Sequence, residues 1–488
     1  MRKITLISLL LVFGLALNAQ NLNASLSFAR FHSPELGSYV ETYLSVSAAG
    51  VKFELLEDGK YQAKVNLLLM FKQGDSIVDY SKTQLSSPAM DDTLQTNYSF
   101  IDQQRFFMPN GNYQLEIEFS DASRSEKPST AKVDILLDFK PDEVQLSDVE
   151  FLSSYMKSDK WQINTKNGYD MVPHVSSFFD EHEKQLIFYA EIYQAAKLLG
   201  EGSQFLLTTY VANAYDMVMN DDMVIRKKVE AEEVNVILNQ FDLSKLASGN
   251  YYLFIEVRDK ENKIRSANKS FFQVNNADVK FDVELLARIS EKTSFVNNFP
   301  ADSLRHLILS VFPIADPMER AFIKNQLNEV DEHQKRKFLT YFWTKRNELQ
   351  PKFAWQKYQI EVEKVQSSFG NSFQAGYETD RGRVYLQYGP PNTISDQEFE
   401  AGGGRHEGSV PYQIWHYYEI DQYRNGKFVF YNPHLVPNGY TLLHSNVKGE
   451  INNPHWQSYL HRNQLENIDA PENDRYDGRS GELYNDPH

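Results

Sequence analysis

Apolar and polar positions alternate with a period of two through the first half of the chain and change to helical spacing after residue 275. Residues 39–46, 61–71, 98–108, 113–119 and 131–137 are short runs rich in Val, Leu, Tyr and Phe. Turn signals such as Asp58-Gly59, Asn110-Gly111 and the polar residues 123–129 separate them. Short alternating strands with turns between them predict a β-sandwich. A second block repeats the theme, with strands expected at 185–192, 205–210 and 228–237.

The two blocks share an internal repeat. Gly111-Asn112-Tyr113-Gln114-Leu115-Glu116-Ile117-Glu118-Phe119 matches Gly249-Asn250-Tyr251-Tyr252-Leu253-Phe254-Ile255-Glu256-Val257. In each, a turn glycine launches a strand whose apolar residues fall on one face. A polar stretch and a further strand (131–137; 270–274) then follow, as in the late hairpin of an immunoglobulin-like or fibronectin-like sandwich. Strand grammar common to unrelated sheets is the alternative source of the match; two tandem immunoglobulin-like sandwiches are the expectation.

Helical spacing begins with residues 279–290, where Leu285, Leu286 and Ile289 share a face. Ala301-Asp302-Ser303 offers a cap before residues 304–312. Residues 317–346 carry Phe322, Leu327, Val330, Phe338, Leu339 and Phe342 among dense charge, as amphipathic helices do. Residues 353–369 continue the pattern beyond Pro351. Three strands are then expected at 413–418, 427–431 and 440–444, the first two joined by the hairpin dipeptide Asn425-Gly426. The fold class is therefore multidomain, mainly β plus α+β. The divisions are a leader at 1–19, sandwiches at 20–139 and 140–276, a helical connector at 277–370, a small α+β domain at 371–466 and a disordered acidic tail at 467–488.

The densest local signal is the run from Gly376 to Pro391. Thr379 and Asp380 suit an N-cap and a first helical turn, where a carboxylate also meets the positive end of the helix dipole. Gly389 can close a helix and Pro390-Pro391 cannot continue one. Residues 380–388 read as a short helix with Val384 and Tyr388 inward, while the β propensity of Val384 to Tyr388 keeps a strand open. Gly376-Tyr377-Glu378-Thr379-Asp380, followed by Arg381-Gly382-Arg383, resembles the signature of the GWxTD-domain family of bacterial envelope proteins, with Tyr377 where the family has Trp. Residues 338–346, including Trp343, are similar to the helix that precedes that pentapeptide, and the resemblance spans about residues 300–456. It implies an envelope protein and assigns no chemistry. The order of a Thr-led helix, Gly-Pro-Pro and aromatic strands is also similar to the small lipoprotein subunit of the outer-membrane barrel-assembly machinery.

Arg2 and Lys3 followed by an apolar stretch to Leu17 and by Asn18-Ala19 have the grammar of a secretory signal peptide cleaved after Ala19. The expected location is the periplasm, free or peripheral at the outer membrane, with no membrane span in the mature form. The absence of cysteine excludes disulfides, thiolate metal sites and thioether lipid anchoring. A net charge of −16 argues against nucleic-acid binding.

Asp380 with Arg381 and Arg383 admits a catalytic reading, a hydrolase using Asp380 and a histidine from the 406–444 region. The structural reading is a capped helix whose arginines pair with Glu378 or Asp396. Half of the twelve histidines lie between His406 and His461, in no compact ligand spacing, so no metal and no cofactor are expected. Gly402-Gly403-Gly404, flanked by Glu398, Glu400 and Glu407, reads as a loop and not a phosphate cradle. The expected function is a non-catalytic binding or scaffold component with envelope or outer-membrane protein partners. Trp343, Trp415, Tyr417, Tyr418 and the loop 398–411 are its candidate contacts. A glycan-binding module is the third reading.

Overall fold

A computed structural model of the chain describes residues 15–19, 22–94, 96–125, 128–214, 217–287, 289, 294–397, 410–420, 423–453, 455–460 and 480–486. The chain divides into two compact units, residues 1–276 and 277–488.

Unit 1 holds two β-sandwiches of one strand order. In the first, Leu22–Ser33, Gly37–Ser47 and Ser99–Phe107 form one sheet. Ser76–Ser86, Tyr61–Gln73, Gly111–Asp121 and Ser129–Leu137 form the other. In the second, Glu150–Lys157, Gln185–Tyr193 and Val234–Asp242 face Met219–Glu230, Gln204–Asn213, Gly249–Arg258 and Ile264–Val274. The internal repeat has a structural cause. The Tyr113 hydroxyl donates to the Pro109 carbonyl and the Tyr251 hydroxyl to the Ala247 carbonyl, both at 2.8 Å. Each bond ties the start of a central strand to the turn before it, as the tyrosine corner of immunoglobulin-like sandwiches does.

Several strands were not expected from the sequence, three of the longer ones in unit 1. Ser76–Ser86 is a largely exposed polar edge strand, Leu22–Ser33 is diluted by Asn and Ser, and Glu150–Lys157 is solvent-exposed beyond its first three residues. The strand expected at 228–237 is corrected to two strands on different sheets. Between them Asn235 accepts from the Glu232 amide and donates to the Glu230 carbonyl, which turns the chain from one sheet to the other. Residues 1–14 of the expected leader lie outside the described residues; Leu15–Ala19 runs antiparallel beside the start of Leu22–Ser33.

The sandwiches pack back to back, so unit 1 is a four-layer stack. Ala29, Phe31, Tyr39 and Tyr43 of the first meet Leu152, Met171, Val175, Ile187 and Tyr189 of the second. This explains why Gln185–Tyr193 is buried on both faces. A hairpin inserted into the second sandwich carries Lys166 into the junction, where it ion-pairs with Glu41 at 2.7 Å and with Glu150. Arg105 pairs with Glu41 from the other side, and the Lys166 ammonium lies 4.1 Å from the centre of the Phe31 ring. Burial works against the Lys166 charge, but Glu150 and Glu41 outweigh it and raise its pKa. Arg30 and the buried Asp148 add a second ion pair across the junction, at 2.7 Å.

Unit 2 begins with helices around Phe281, Leu304, Phe322, Phe338, Phe342 and Trp343. Of the helix expected at 279–290, the described residues contain Val283–Ala287. Asp316 and Asp331 open Pro317–Ala321 and Glu332–Arg346 with reciprocal caps, each side chain accepting from the residue three ahead. Pro351–Phe369 follows, then the signature helix Asp380–Tyr388 and an antiparallel sheet ordered Thr393–Gln397, Tyr412–Ile420, Tyr423–Tyr431, Thr441–Ser445. Val384 of the signature helix packs with Trp415, Tyr417, Phe428 and Phe430 on one face of this sheet. Tyr412, Ile414, Val429 and Leu443 on the other face pack against Trp456, Leu460 and Leu483. Leu483 belongs to a helix, Ser480–Asn485, inside the tail expected to be disordered. Composition marks that stretch as polar, but Leu483 gives it an apolar anchor. No helix among the described residues is long and apolar enough to cross a membrane.

Candidate functional site

Residues 376–389 form a knot between Pro351–Phe369 and the C-terminal sheet. A Cβ on Gly376 would lie 2.5 Å from the Val365 carbonyl oxygen, and one on Gly382 would lie 1.9 Å from the Gly376 carbonyl oxygen. Only hydrogen fits at either place. The Gly376 amide donates to Gln366 Oε1 at 2.7 Å, holding the pentapeptide against the preceding helix. Tyr377 is buried beside Val362, Val365 and Leu386, with its hydroxyl 3.1 Å from His306 Nδ1. Burial pushes the Tyr377 phenol up to about 12.

Thr379 is the N-cap. Its hydroxyl accepts from the Gly382 amide at 3.0 Å and donates to the Gly376 carbonyl at 2.7 Å. Thr379→Ala is expected to cost unit 2 about 1 kcal/mol, read as a shifted urea midpoint. The Asp380 carboxylate accepts from the Leu442 amide at 2.7 Å and so fastens the helix start to the last strand of the sheet. Gly389 ends the helix at φ +82°, its amide donating to the Tyr385 carbonyl, and Pro390-Pro391 follow.

The two arginines differ from the expected pairing with Glu378 or Asp396. Arg383 makes a bidentate ion pair with Glu450 at 2.8 and 2.7 Å, and the Tyr388 hydroxyl joins the same carboxylate at 2.8 Å. Arg381 is buried with neutral partners, Gln413 at 3.1 Å and Asn438 at 2.9 Å. Its guanidinium lies 4.1 Å from the centre of the Tyr440 ring, and burial lowers its pKa. Sequence reasoning could not find Glu450 or Asn438, because both lie on loops remote in the chain with no motif around them. Glu378 instead accepts from the Ala375 amide.

Three of the four aromatic contact candidates are corrected to core residues: Trp343 (2% exposed), Trp415 (0%) and Tyr417 (2%). Trp415 and Tyr417 fall on the strand face that the signature helix covers, and Tyr418 alternates outward to 55% exposure. The Glu398–Glu407 acidic residues, the Gly402 triplet, His406 and His461 lie outside the described residues.

The buried histidines also have structural partners. His416 Nε2 bonds to the Leu483 carbonyl at 2.9 Å. His444 Nδ1 accepts from the Asn453 amide at 3.1 Å, and its Nε2 meets the Tyr484 hydroxyl at 3.0 Å. Among the described residues no group of three or more His, Asp or Glu side chains is placed to hold a metal ion. Burial lowers His444 from 6.5 to about 4. The unfolded chain therefore takes up a proton between those values that the folded unit refuses. The His444 contribution is complete above pH 6.5 and is lost toward pH 4, by roughly 3 kcal/mol. Urea midpoints of wild type and His444→Gln at pH 7 and 4.5 check this: the acid loss is expected to shrink in the variant.

No curated protein matches the chain in sequence. Among solved structures, red sea bream transglutaminase is 12% identical over 53% of this chain and 32% of its own, with a TM-score of 0.17. Fibronectin(III)-like modules of Clostridium thermocellum CbhA are 13% identical over 50% of this chain and 89% of their own, at 0.14. Escherichia coli alpha-2-macroglobulin is 10% identical over 52% and 24%, at 0.16. The chain thus spans less than a third of the first matched structures. Residues 293–459, which contain the whole knot around Thr379 and Asp380, match the family model of the GWxTD domain: the chain carries a GWxTD domain that follows two β-sandwiches in sequence.

Proposed function

We propose that this is a non-catalytic binding and scaffold protein of the cell envelope, an accessory component of an outer-membrane or secretion-related assembly. The observation that supports it is the use made of Asp380, whose carboxylate holds the Leu442 amide and secures a helix to a sheet. Of the charged groups nearby, Arg383 is locked to Glu450 and Arg381 is held by Gln413 and Asn438. A hydrolytic reading needs a histidine or second carboxylate within hydrogen-bond reach of Asp380, and the buried His416 and His444 are bonded to Leu483, Tyr484 and Asn453 instead.

Export follows from the leader grammar. The protein recovered from the envelope is expected to begin at Gln20 by mass spectrometry; retention of Met1 contradicts this. Partner binding is tested by photo-crosslinking in cells, with the crosslinker at Tyr418 or at Trp161, which is 75% exposed. A stoichiometric envelope partner is the expected product. A monomer without adducts from any exposed position overturns the scaffold reading.

A further inference from the structure

The outer face of the C-terminal sheet carries a seat shaped for a short helix. Tyr412, Ile414, Val429 and Leu443 floor it, and Trp456 and Leu460 wall it. Leu483 fills it at 5% exposure, with Tyr484 packed beside it. Three basic side chains of the sheet contact the seated residues. His416 Nε2 meets the Leu483 main-chain carbonyl, one of the carbonyls that a helix end leaves without an internal partner. His444 meets the Tyr484 hydroxyl, and the Lys427 ammonium lies 4.3 Å from the centre of that ring. Trp456 packs on the same ring at 5.3 Å.

The seated element, Ser480–Asn485, is too short to be helical in isolation. Its helix exists because the seat orders it, and it joins the sheet's last packed helix, Trp456–Leu460, only through residues 461–479.

We infer that this seat is an exchangeable docking groove, occupied in cis by the chain's own C-terminal helix and open in trans to a partner polypeptide whose short helix ends in a Leu-Tyr pair. The apolar floor sets affinity, while the carbonyl contact from His416 and the ring contacts from Lys427 and His444 set register and specificity. The cis helix competes as a tethered ligand, at an effective concentration of about millimolar. The inference rests on the binding reading for its use in the cell, and the two fail separately, because exchange is measured on purified protein.

The probe is a fluorescent peptide of residues 478–488, with a control peptide in which the Leu483 and Tyr484 positions are alanine. The full-length double variant Leu483→Ala, Tyr484→Ala vacates the groove. It is expected to bind the probe at least about tenfold more tightly than wild type does, and to ignore the control. Equal binding by both proteins, or none by the variant, overturns the inference. Should the variant unfold, hydrogen exchange on wild type decides. Amides of 480–485 exchanging much faster than those of Ile414 and Val429 support exchange; a common rate makes the helix an integral part of the core and overturns it.

Discussion

Replacing Gly382 with alanine is expected to cost unit 2 at least about 3 kcal/mol, beyond the usual range for overpacking. The new methyl would sit 1.9 Å from the Gly376 carbonyl oxygen and 2.7 Å from Val365 Cγ1. Neither neighbour has room to yield. The carbonyl accepts from the Thr379 hydroxyl and amide, and Val365 is buried near the C-terminal end of Pro351–Phe369. Separating Gly376 from Gly382 therefore breaks the N-cap, and with it the placement of Asp380 against Leu442. A urea titration followed at unit 2 amides by hydrogen exchange reads the loss. A wild-type midpoint for Gly382→Ala would mean that the close approach is not what holds the knot.

Lys166→Met is expected to destabilise unit 1 by about 3–5 kcal/mol, because it leaves Glu41 and Glu150 buried with one cation, Arg105, between them. Glu150 is the more exposed to the loss, since Arg105 pairs with Glu41 and burial already raises the Glu150 pKa. Adding Glu150→Gln to Lys166→Met is expected to recover part of the stability, as removal of both partners of a buried pair does. The damage crosses the junction, so protection is lost in Gly37–Ser47 of the first sandwich as well as in Gln185–Tyr193 of the second. Loss confined to the second sandwich would show that Lys166 does not join them.

The alternation of Tyr39-Val40-Glu41-Thr42-Tyr43-Leu44 announced a strand but also contained more than a single sandwich needs. Val40 and Leu44 line the core, while Tyr39, Glu41 and Tyr43 point into a second buried layer. Sequence alone reads such residues as a solvent face with aromatic decoration, because the partner face lies more than a hundred residues away. The same limit explains Trp415 and Tyr417. Their spacing places them on one strand face, but the covering helix comes from the signature itself, so an expected contact surface becomes core. Residues 380–388 illustrate local competition: Val, Tyr and Leu favour a strand, and the Thr379 cap with the Gly389 stop decides for a helix. The repeat at Gly111 and Gly249 was legible because the tyrosine corner is a local device. Glu450, Asn438 and the seat of the C-terminal helix were not, since each depends on long-range packing without a motif.

Asp380→Asn is the most direct measurement on the proposed role of the signature. Asparagine removes the charge and any acid–base capacity at this position, yet its carbonyl still accepts from the Leu442 amide. A stability loss within about 1 kcal/mol, from the weaker helix-dipole contact, and unchanged capture of the proposed envelope partner are the predicted results. A fully folded Asp380→Asn protein that has lost its activity in the cell would contradict a structural role and return the carboxylate to chemistry.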